Sequence, residues 1–321
     1  MNNNMDEMDE PMKTEPVKVS VIMGVYNQTD RTALDEAVDS ILAQTMPDFE
    51  FIIYDDGSFP EAARYIRKQG EKDPRIRICG HEQNHGLAFS LNACASLARG
   101  QYIARMDADD VAAPERLERQ TRFMDTHPEV DWCGSNAYLF DGKTVWGCRE
   151  MPERPSAEDY LRFSPYIHPT VMYRRELLEK VRYNTRNELL HCEDYEIFMR
   201  LLRKGYHGYN IQENLLYYRE NMASYNRRTI RHRVNETKVR YQNFKRLGIL
   251  FPKGWFFVLR PLLGIVVPKR LIQEHKRKES EKIYAAKREK ASVLRTGDRK
   301  RSPAEVGDPA VQGRETAASA R

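Results

Sequence analysis

Asp107, Asp109 and Asp110 crowd into four positions directly after the run Gly100-Gln101-Tyr102-Ile103-Ala104-Arg105-Met106. Carboxylates held this close repel one another and raise one another's pKa. A half-buried cluster at a strand terminus is therefore relieved by a hard divalent cation with oxygen ligands, an ion suited to bridging phosphates. The same residues also fit a solvated acidic turn that caps a helix starting near Pro114. A second acidic pair, Asp55-Asp56, precedes Gly57-Ser58, and a third, Glu193-Asp194, follows His191-Cys192. Each has a plainer reading, the first as an Asx turn and the second as acids complementing the dipole of a helix start.

The elements that must position these groups alternate. Val17 to Met23 predicts a buried strand ending at Gly24-Val25-Tyr26-Asn27. A helix should follow, capped by Asp30 or Thr32, with Leu34, Ala37, Val38, Ile41 and Leu42 at helical spacing before Gln44-Thr45-Met46-Pro47 stops it. Phe49 to Tyr54 reads as a second strand emptying into Asp55-Asp56, and Ile76-Arg77-Ile78 as a short third one. Gly86 to Leu97 reads as a helix with Leu87, Leu91, Ala95 and Leu97 inward, and Gln101 to Met106 as a fourth strand. Strands alternating with helices imply an α/β fold, Rossmann-like, with a mostly parallel central sheet whose ligands lie beyond the carboxyl ends of the strands. Asp55, Asp56, Asp107 and Asp109 all fall at such ends.

Five blocks in this order carry more information than any one of them: VSVIMGVYN (19 to 27), SILAQTMPDFEFIIYDDGS (40 to 58), NHGLAFSLN (84 to 92), GQYIARMDADD (100 to 110) and CEDYEIFMRL (192 to 201). Through them the chain, over roughly residues 17 to 225, resembles the family 2 inverting glycosyltransferases with the GT-A fold, of the kind that build bacterial cell-surface polysaccharides. The resemblance implies a nucleotide-sugar donor, UDP-linked, and a hydroxyl acceptor on a glycan or lipid-linked glycan. Asp56 matches the carboxylate that accepts a hydrogen bond from the base, with Asp55 beside it, and Val25 and Asn27 close the first strand on the same nucleotide. Asn84 and Gly86 match an Asn-x-Gly block where a small residue lets backbone approach the ligand. Asp109 and Asp107 match the DxD pair, implied to hold Mn2+ or Mg2+ at the diphosphate, with Asp110 behind them. Asp194 matches the general base that takes the acceptor proton, and Glu193 the residue that orients base or acceptor.

Other positions stay two-sided. His168, in Ile167-His168-Pro169-Thr170-Val171-Met172, matches the strand before the base segment and fits either an acceptor or diphosphate pocket or a structural histidine. Arg105 fits a phosphate contact or a strand-end ion pair. Tyr218-Arg219, with Ser224 and Tyr225, sits where relatives bring a basic residue to the diphosphate. The absence of QxxRW points to addition of single sugars rather than polymerisation. No GxxxxGK[ST] loop, HExxH or paired CxxC is present, which argues against a P-loop NTPase or a zinc site. Two rivals remain at this point: a sugar nucleotidyltransferase, which should carry a glycine-rich basic loop where GVYNQTD stands, and a catalytically silent glycan- or nucleic-acid-binding protein. No nucleic acid is expected as a partner.

Five cysteines, widely spaced and odd in number, fit reduced thiols in the cytoplasm, and residues 1 to 16 are polar without the apolar core of a secretory signal. The net charge of +5 hides an asymmetry, because Lys269 to Arg301 holds thirteen Lys and Arg against five Asp and Glu. Ahead of it, Trp255 to Val267 is apolar but broken by Arg260-Pro261 and shorter than the roughly 20 residues a membrane span needs. Residues 251 to 301 thus read as a peripheral anchor at an anionic membrane surface, or else as a packed helix followed by a solvated one. The expected organisation is a disordered stretch over 1 to 16, a GT-A domain over 17 to 250 with a nucleotide half to about 112 and an acceptor half from 113 to 225, the 251 to 301 segment, and a disordered tail from 302.

Overall fold

The computed structural model describes residues 17–220, 230–266, 274 and 276–289. The disorder expected at 1 to 16 and from 302, and the positions of Ser224 and Tyr225, concern residues outside that set.

β1 (Val19–Val25) lies between β2 (Phe49–Asp56) and β4 (Tyr102–Arg105), parallel to both, and β2 pairs in parallel with β3 (Ile76–His81). A strand covered on both faces must be apolar on both, which is why β1 and β2 read as continuous hydrophobic runs rather than alternating ones. Val21 and Met23 of β1 pack with Leu34, Ile41 and Phe51 on one side of the sheet, while Ile22 packs with Leu91, Ile103 and Ile52 on the other. The helices between these strands are α1 (Arg31–Leu42), α2 (Pro60–Gln69) and α3 (Leu87–Leu97). Asp30, not Thr32, caps α1, its carboxylate accepting from the Ala33 amide at 3.0 Å.

Beyond β4 the sheet turns mixed. After β5 (Val111–Ala112) and α4 (Arg116–Thr126) come β6 (Trp132–Phe140), β7 (Val145–Arg149) and β8 (Met172–Arg174), then α5 (Arg175–Lys180), α6 (Glu193–Arg203) and β9 (Gly208–Arg219). The order across the sheet is β3-β2-β1-β4-β8-β6-β9-β5, with β7 beside β6; β8 runs antiparallel to β4 and β6, while β9 runs parallel to β6. The parallel α/β half expected from the sequence is therefore β3-β2-β1-β4.

Several boundaries differ from expectation. β3 extends to His81, paired with Asp56. Leu97 is exposed rather than inward, because the buried face of α3 follows Leu91, Cys94 and Ala98 at helical spacing and Leu97 lies off it. α4 starts at Arg116, two residues later than Pro114 suggested. The segment from Ile167 to Val171 is not strand: Pro169 sits in a 3-10 turn over His168–Thr170, which the Thr170 hydroxyl closes by donating to the Ile167 carbonyl at 2.7 Å, and pairing begins only at Met172.

After the sheet, α7 (Ile230–Leu247) and α8 (Trp255–Val266) form a helical pair, and residues 276–289 form a further helix, α9. Val239 and Phe244 of α7 and Val258 of α8 join the same buried cluster as Leu161 and Tyr195. Among the described residues no helix is long and apolar enough to cross a membrane.

Candidate functional site

Every acidic group singled out in the sequence except the α6 pair stands at the carboxyl end of a parallel strand. Val25 is buried at the end of β1, and Asn27, in the left-handed region at φ 48°, ties two loops together. Its backbone amide donates to the Ser58 hydroxyl at 2.9 Å, and its side-chain oxygen accepts from the Phe59 amide at 2.8 Å. The turn is held by Asp55 rather than by Asp56, Asp55 accepting from the Ser58 amide three residues on at 3.0 Å. Asp56 goes the other way, into the protein. It is buried, and its carboxylate accepts from the Asn84 side chain at 3.0 Å and from the His85 and Gly86 amides at 3.0 and 2.8 Å. The DDGS turn and the Asn84-His85-Gly86 loop are therefore one unit, and Gly86, at φ 89°, leads directly into α3.

Asp107, Asp109 and Asp110 form the turn after β4, with one oxygen of each lying within 4.8 Å of the others. Asp110, expected behind the ligand pair, stands in the group. It is almost wholly buried, its Oδ1 accepts from the Arg219 amide at 2.8 Å, and its Oδ2 has no hydrogen-bond partner. Burial, reinforced by the charges of Asp107 and Asp109, pushes its pKa well above the ordinary carboxylate value. A buried carboxyl oxygen without a hydrogen-bond partner, beside two further carboxylates, is a site whose electrostatics a hard cation would satisfy. The all-oxygen donor set fits Mg2+ or Mn2+ rather than a soft metal.

Two arginines brace this turn. Arg219, at the end of β9, donates from Nε to the Asp109 carbonyl at 2.6 Å, pairs with Glu36, and lies 4.5 Å over the Phe140 ring. Arg105 is fully buried, pairs with Asp107, and has two guanidinium nitrogens, Nε and Nη1, without hydrogen-bond partners. Beneath it the buried Arg116 of α4 donates to the Arg105 carbonyl at 2.7 Å. Of the two roles weighed for Arg105, the strand-end ion pair is present.

The second half of the chain holds a buried polar chain. His168 shares a 2.7 Å hydrogen bond with the Tyr183 hydroxyl, which shares a 2.8 Å one with Tyr173. Burial, and after it the Arg105 charge, pushes the His168 pKa well below its usual value, so the ring is neutral. His168 is thus buried, with Tyr183 as its hydrogen-bond partner. Tyr183 is raised by burial first; the Arg105 charge opposes that rise, and the charges of Asp194 and Glu193 add to it. Tyr183 is also tied to α3, its backbone amide donating to the Asn92 side chain at 2.9 Å.

Within that first turn Glu193 is displaced most usefully. Burial, and then the charge of Asp194, raises its pKa from 4.5 to about 7, and its Oε2 is buried without a hydrogen-bond partner. Glu193 lines a small cleft with His85, Gly86 and Leu87 on one wall and Asn184, Arg186 and Leu190 on the other. The fold thus brings the Asn84–Gly86 loop and the acidic start of α6 to a single cleft, although more than a hundred residues separate them in sequence.

Arg116, Tyr183 and Glu36 were not anticipated. Arg116 sits in the highly charged Glu115-Arg116-Leu117-Glu118-Arg119, which reads as a solvated helix face. Only its spacing of four from Gln120, whose side chain also reaches the Thr170 carbonyl, hints at an inward polar row.

Comparison with known proteins agrees with this arrangement. The sequence profile described as "Glycosyl transferase family 2" matches residues 20–182. The chain is 32% identical over 263 residues to the putative glycosyltransferase EpsE of Bacillus subtilis (strain 168), an alignment that covers 81% of this chain and 94% of that relative. Its fold is similar to that of S. aureus TarS 1-349 in complex with UDP, with a TM-score of 0.58 at 19% identity over 78% of this chain and 75% of that one. It is also similar to the mannosyltransferase PcManGT from Pyrobaculum calidifontis in complex with GDP-Man and Mn2+, with a TM-score of 0.56 at 16% identity over 86% and 88% of the two chains. At these identities the structures establish the shared GT-A fold.

Proposed function

The chain belongs to glycosyl transferase family 2, and from that premise we propose that it moves a sugar from a nucleoside diphosphate donor to a hydroxyl of a glycan or lipid-linked glycan, with inversion and with the help of a divalent cation. Membership removes the nucleotidyltransferase alternative. The observation that carries the reading is the carboxylate triad after β4, with the buried, unpartnered Oδ2 of Asp110; a cleft lined by Gly86 and Glu193 accompanies it. Complexes of GT-A neighbours with UDP and with GDP-Man and Mn2+ support a nucleotide-sugar donor and a metal of the Mn2+ or Mg2+ kind.

In this reading Asp107, Asp109 and Asp110 hold the cation, which when bound neutralises charge on the departing diphosphate as a Lewis acid. Arg219 and Arg105 hold the triad's geometry, Arg219 through the Asp109 and Asp110 backbone and carboxylate contacts and Arg105 through Asp107. The Asn84–Gly86 loop, fixed by Asp56, offers backbone to the nucleotide, and Asn27 and Asp55 keep the neighbouring turn closed. Asp194 accepts the proton from the acceptor hydroxyl as its oxygen attacks the anomeric carbon from the face opposite the leaving group. Glu193 lines the cleft and, through burial first and the Asp194 charge second, keeps a proton up to about pH 7, which suits it to orient the acceptor by donating a hydrogen bond. Five free cysteines, four of them buried, support a reducing, cytoplasmic setting.

Asp109→Ala tests the reading. It should abolish manganese-dependent release of nucleoside diphosphate from the donor and the metal-dependent part of UDP binding in calorimetry, while unfolding stays cooperative. Near-normal turnover would remove Asp109 from the site.

A further inference from the structure

The helical pair α7–α8 is half core and half open surface. Its inner side is packed: Val239, Phe244 and Val258 are buried, and Arg240 donates to the Leu161 carbonyl at 2.8 Å. Its outer side carries an exposed apolar face. Phe251 is 72% exposed, Phe256 64% and Leu263 54%, and Trp255 and Leu259 lie open with them on successive turns of α8. Tyr241 of α7 extends the face across the pair, its ring centroid 5.4 Å from that of Trp255. The run from Trp255 to Val266 is thus neither a free anchor nor a fully packed helix; one of its sides is seated in the protein and the other is presented outward together with α7.

The exposed charges that α7, α8 and their connection themselves carry have one sign. Arg231, Lys238, Lys245, Arg246, Lys253 and Arg260 are exposed, and the only acid between residues 230 and 263, Glu236, is half-buried and paired with Arg240. Lys238 and Lys245 flank Tyr241 at helical spacing, three before it and four after, so cations and aromatic ring share one stripe. A second copy of this chain would bring these cations against themselves, and a soluble acidic partner would leave the bulky apolar face unexplained. Aromatic and aliphatic side chains ringed by lysine and arginine match the interface of an anionic bilayer, where apolar groups enter between headgroups and cations meet lipid phosphate.

We propose that the outer face of α7–α8 docks on an anionic lipid bilayer. The docking is oriented. The His232 ring of α7 lies 4.1 Å from the His191 ring, two residues before Glu193, so the first turn of α7 adjoins the candidate cleft. A bilayer against this face holds the start of α6 near the lipid surface, where a lipid-linked acceptor presents its hydroxyl.

The test uses the full chain and vesicles of phosphatidylcholine with about one third phosphatidylglycerol. The chain should sediment with these vesicles, far less with phosphatidylcholine alone, and be partly released by high salt. Phe256→Ser/Leu259→Ser/Leu263→Ser and Lys238→Glu/Lys245→Glu each leave the basic residues after 266 intact and alter only exposed positions. Each should lower partitioning by about tenfold or more, with an unchanged melting temperature and unchanged nucleoside diphosphate release in solution. Absence of binding by the parent chain, or undiminished binding by both variants, overturns the proposal. So does a lipid-free dimer in analytical ultracentrifugation that the triple substitution converts to monomer, because the face would then belong to a second copy.

Discussion

Replacing Glu193 by Gln should stabilise the protein, and by an amount that depends on pH. Glu193 is held at about 7 against an ordinary 4.5, by burial first and by the Asp194 charge second. The folded state therefore keeps this proton to higher pH than the unfolded chain does. Between about pH 4.5 and 7 the native state binds more protons, so stability falls as pH rises through that window and is level above it. At 1.36 kcal/mol for each tenfold displacement, ionising Glu193 costs the fold about 3 kcal/mol at pH 8 and almost nothing at pH 4. Glutamine cannot ionise and escapes that cost. Urea denaturation of the parent and Glu193→Gln at several pH values between 4 and 8 should give curves that coincide in acid and separate by up to about 3 kcal/mol in base, with the variant above. A constant gap, or one that opens in acid, would refute the reasoning. The rate profile offers a companion readout, since an inflection near pH 7 in the parent should be missing from the variant.

Asp194→Asn keeps size and helix position but cannot take a proton, so transfer should drop by about 10²–10⁴-fold with donor affinity little changed; single-turnover rates and calorimetry with UDP separate the two effects, and parallel loss of donor binding would make Asp194 a nucleotide residue instead. Gly57→Ala places a Cβ 2.6 Å from the Gln83 carbonyl carbon at a φ of 75°, pushing the Asn84–Gly86 loop away from the DDGS turn. It should cost about 1–3 kcal/mol and weaken nucleotide binding, and an unchanged melting temperature would show that the two loops do not move as one.

The parallel half of the fold was legible because strands buried on both faces announce themselves as apolar runs, and β1, β2 and β4 end at the residues that later form the site. Asp107 and Asp109 stood out by type and spacing, whereas Asp194, Asn84 and Gly86 were singled out through the family resemblance. What pairs with them was not legible. Asp56 matches a base-binding carboxylate by resemblance, and its three donors come from a loop about thirty residues away, a long-range closure that no local pattern encodes. Arg219 likewise read as a diphosphate contact, whereas it is tied to Glu36 and the Asp109 carbonyl across more than a hundred residues. Asp110 was placed behind the ligands because burial of one oxygen among three carboxylates is a property of packing. The acceptor half was hardest, since its short strand β8 and the His168–Thr170 turn carry too few residues to show a period.

The central claim is sugar transfer from a nucleotide donor at a metal held by the DADD turn. The most direct measurement is release of nucleoside diphosphate by the full chain from a panel of UDP- and GDP-sugars, with manganese and with chelator, since slow donor hydrolysis needs no knowledge of the acceptor. The account predicts release from at least one donor in manganese and its loss in chelator. No release from any donor, or release that chelator leaves unchanged, would contradict it.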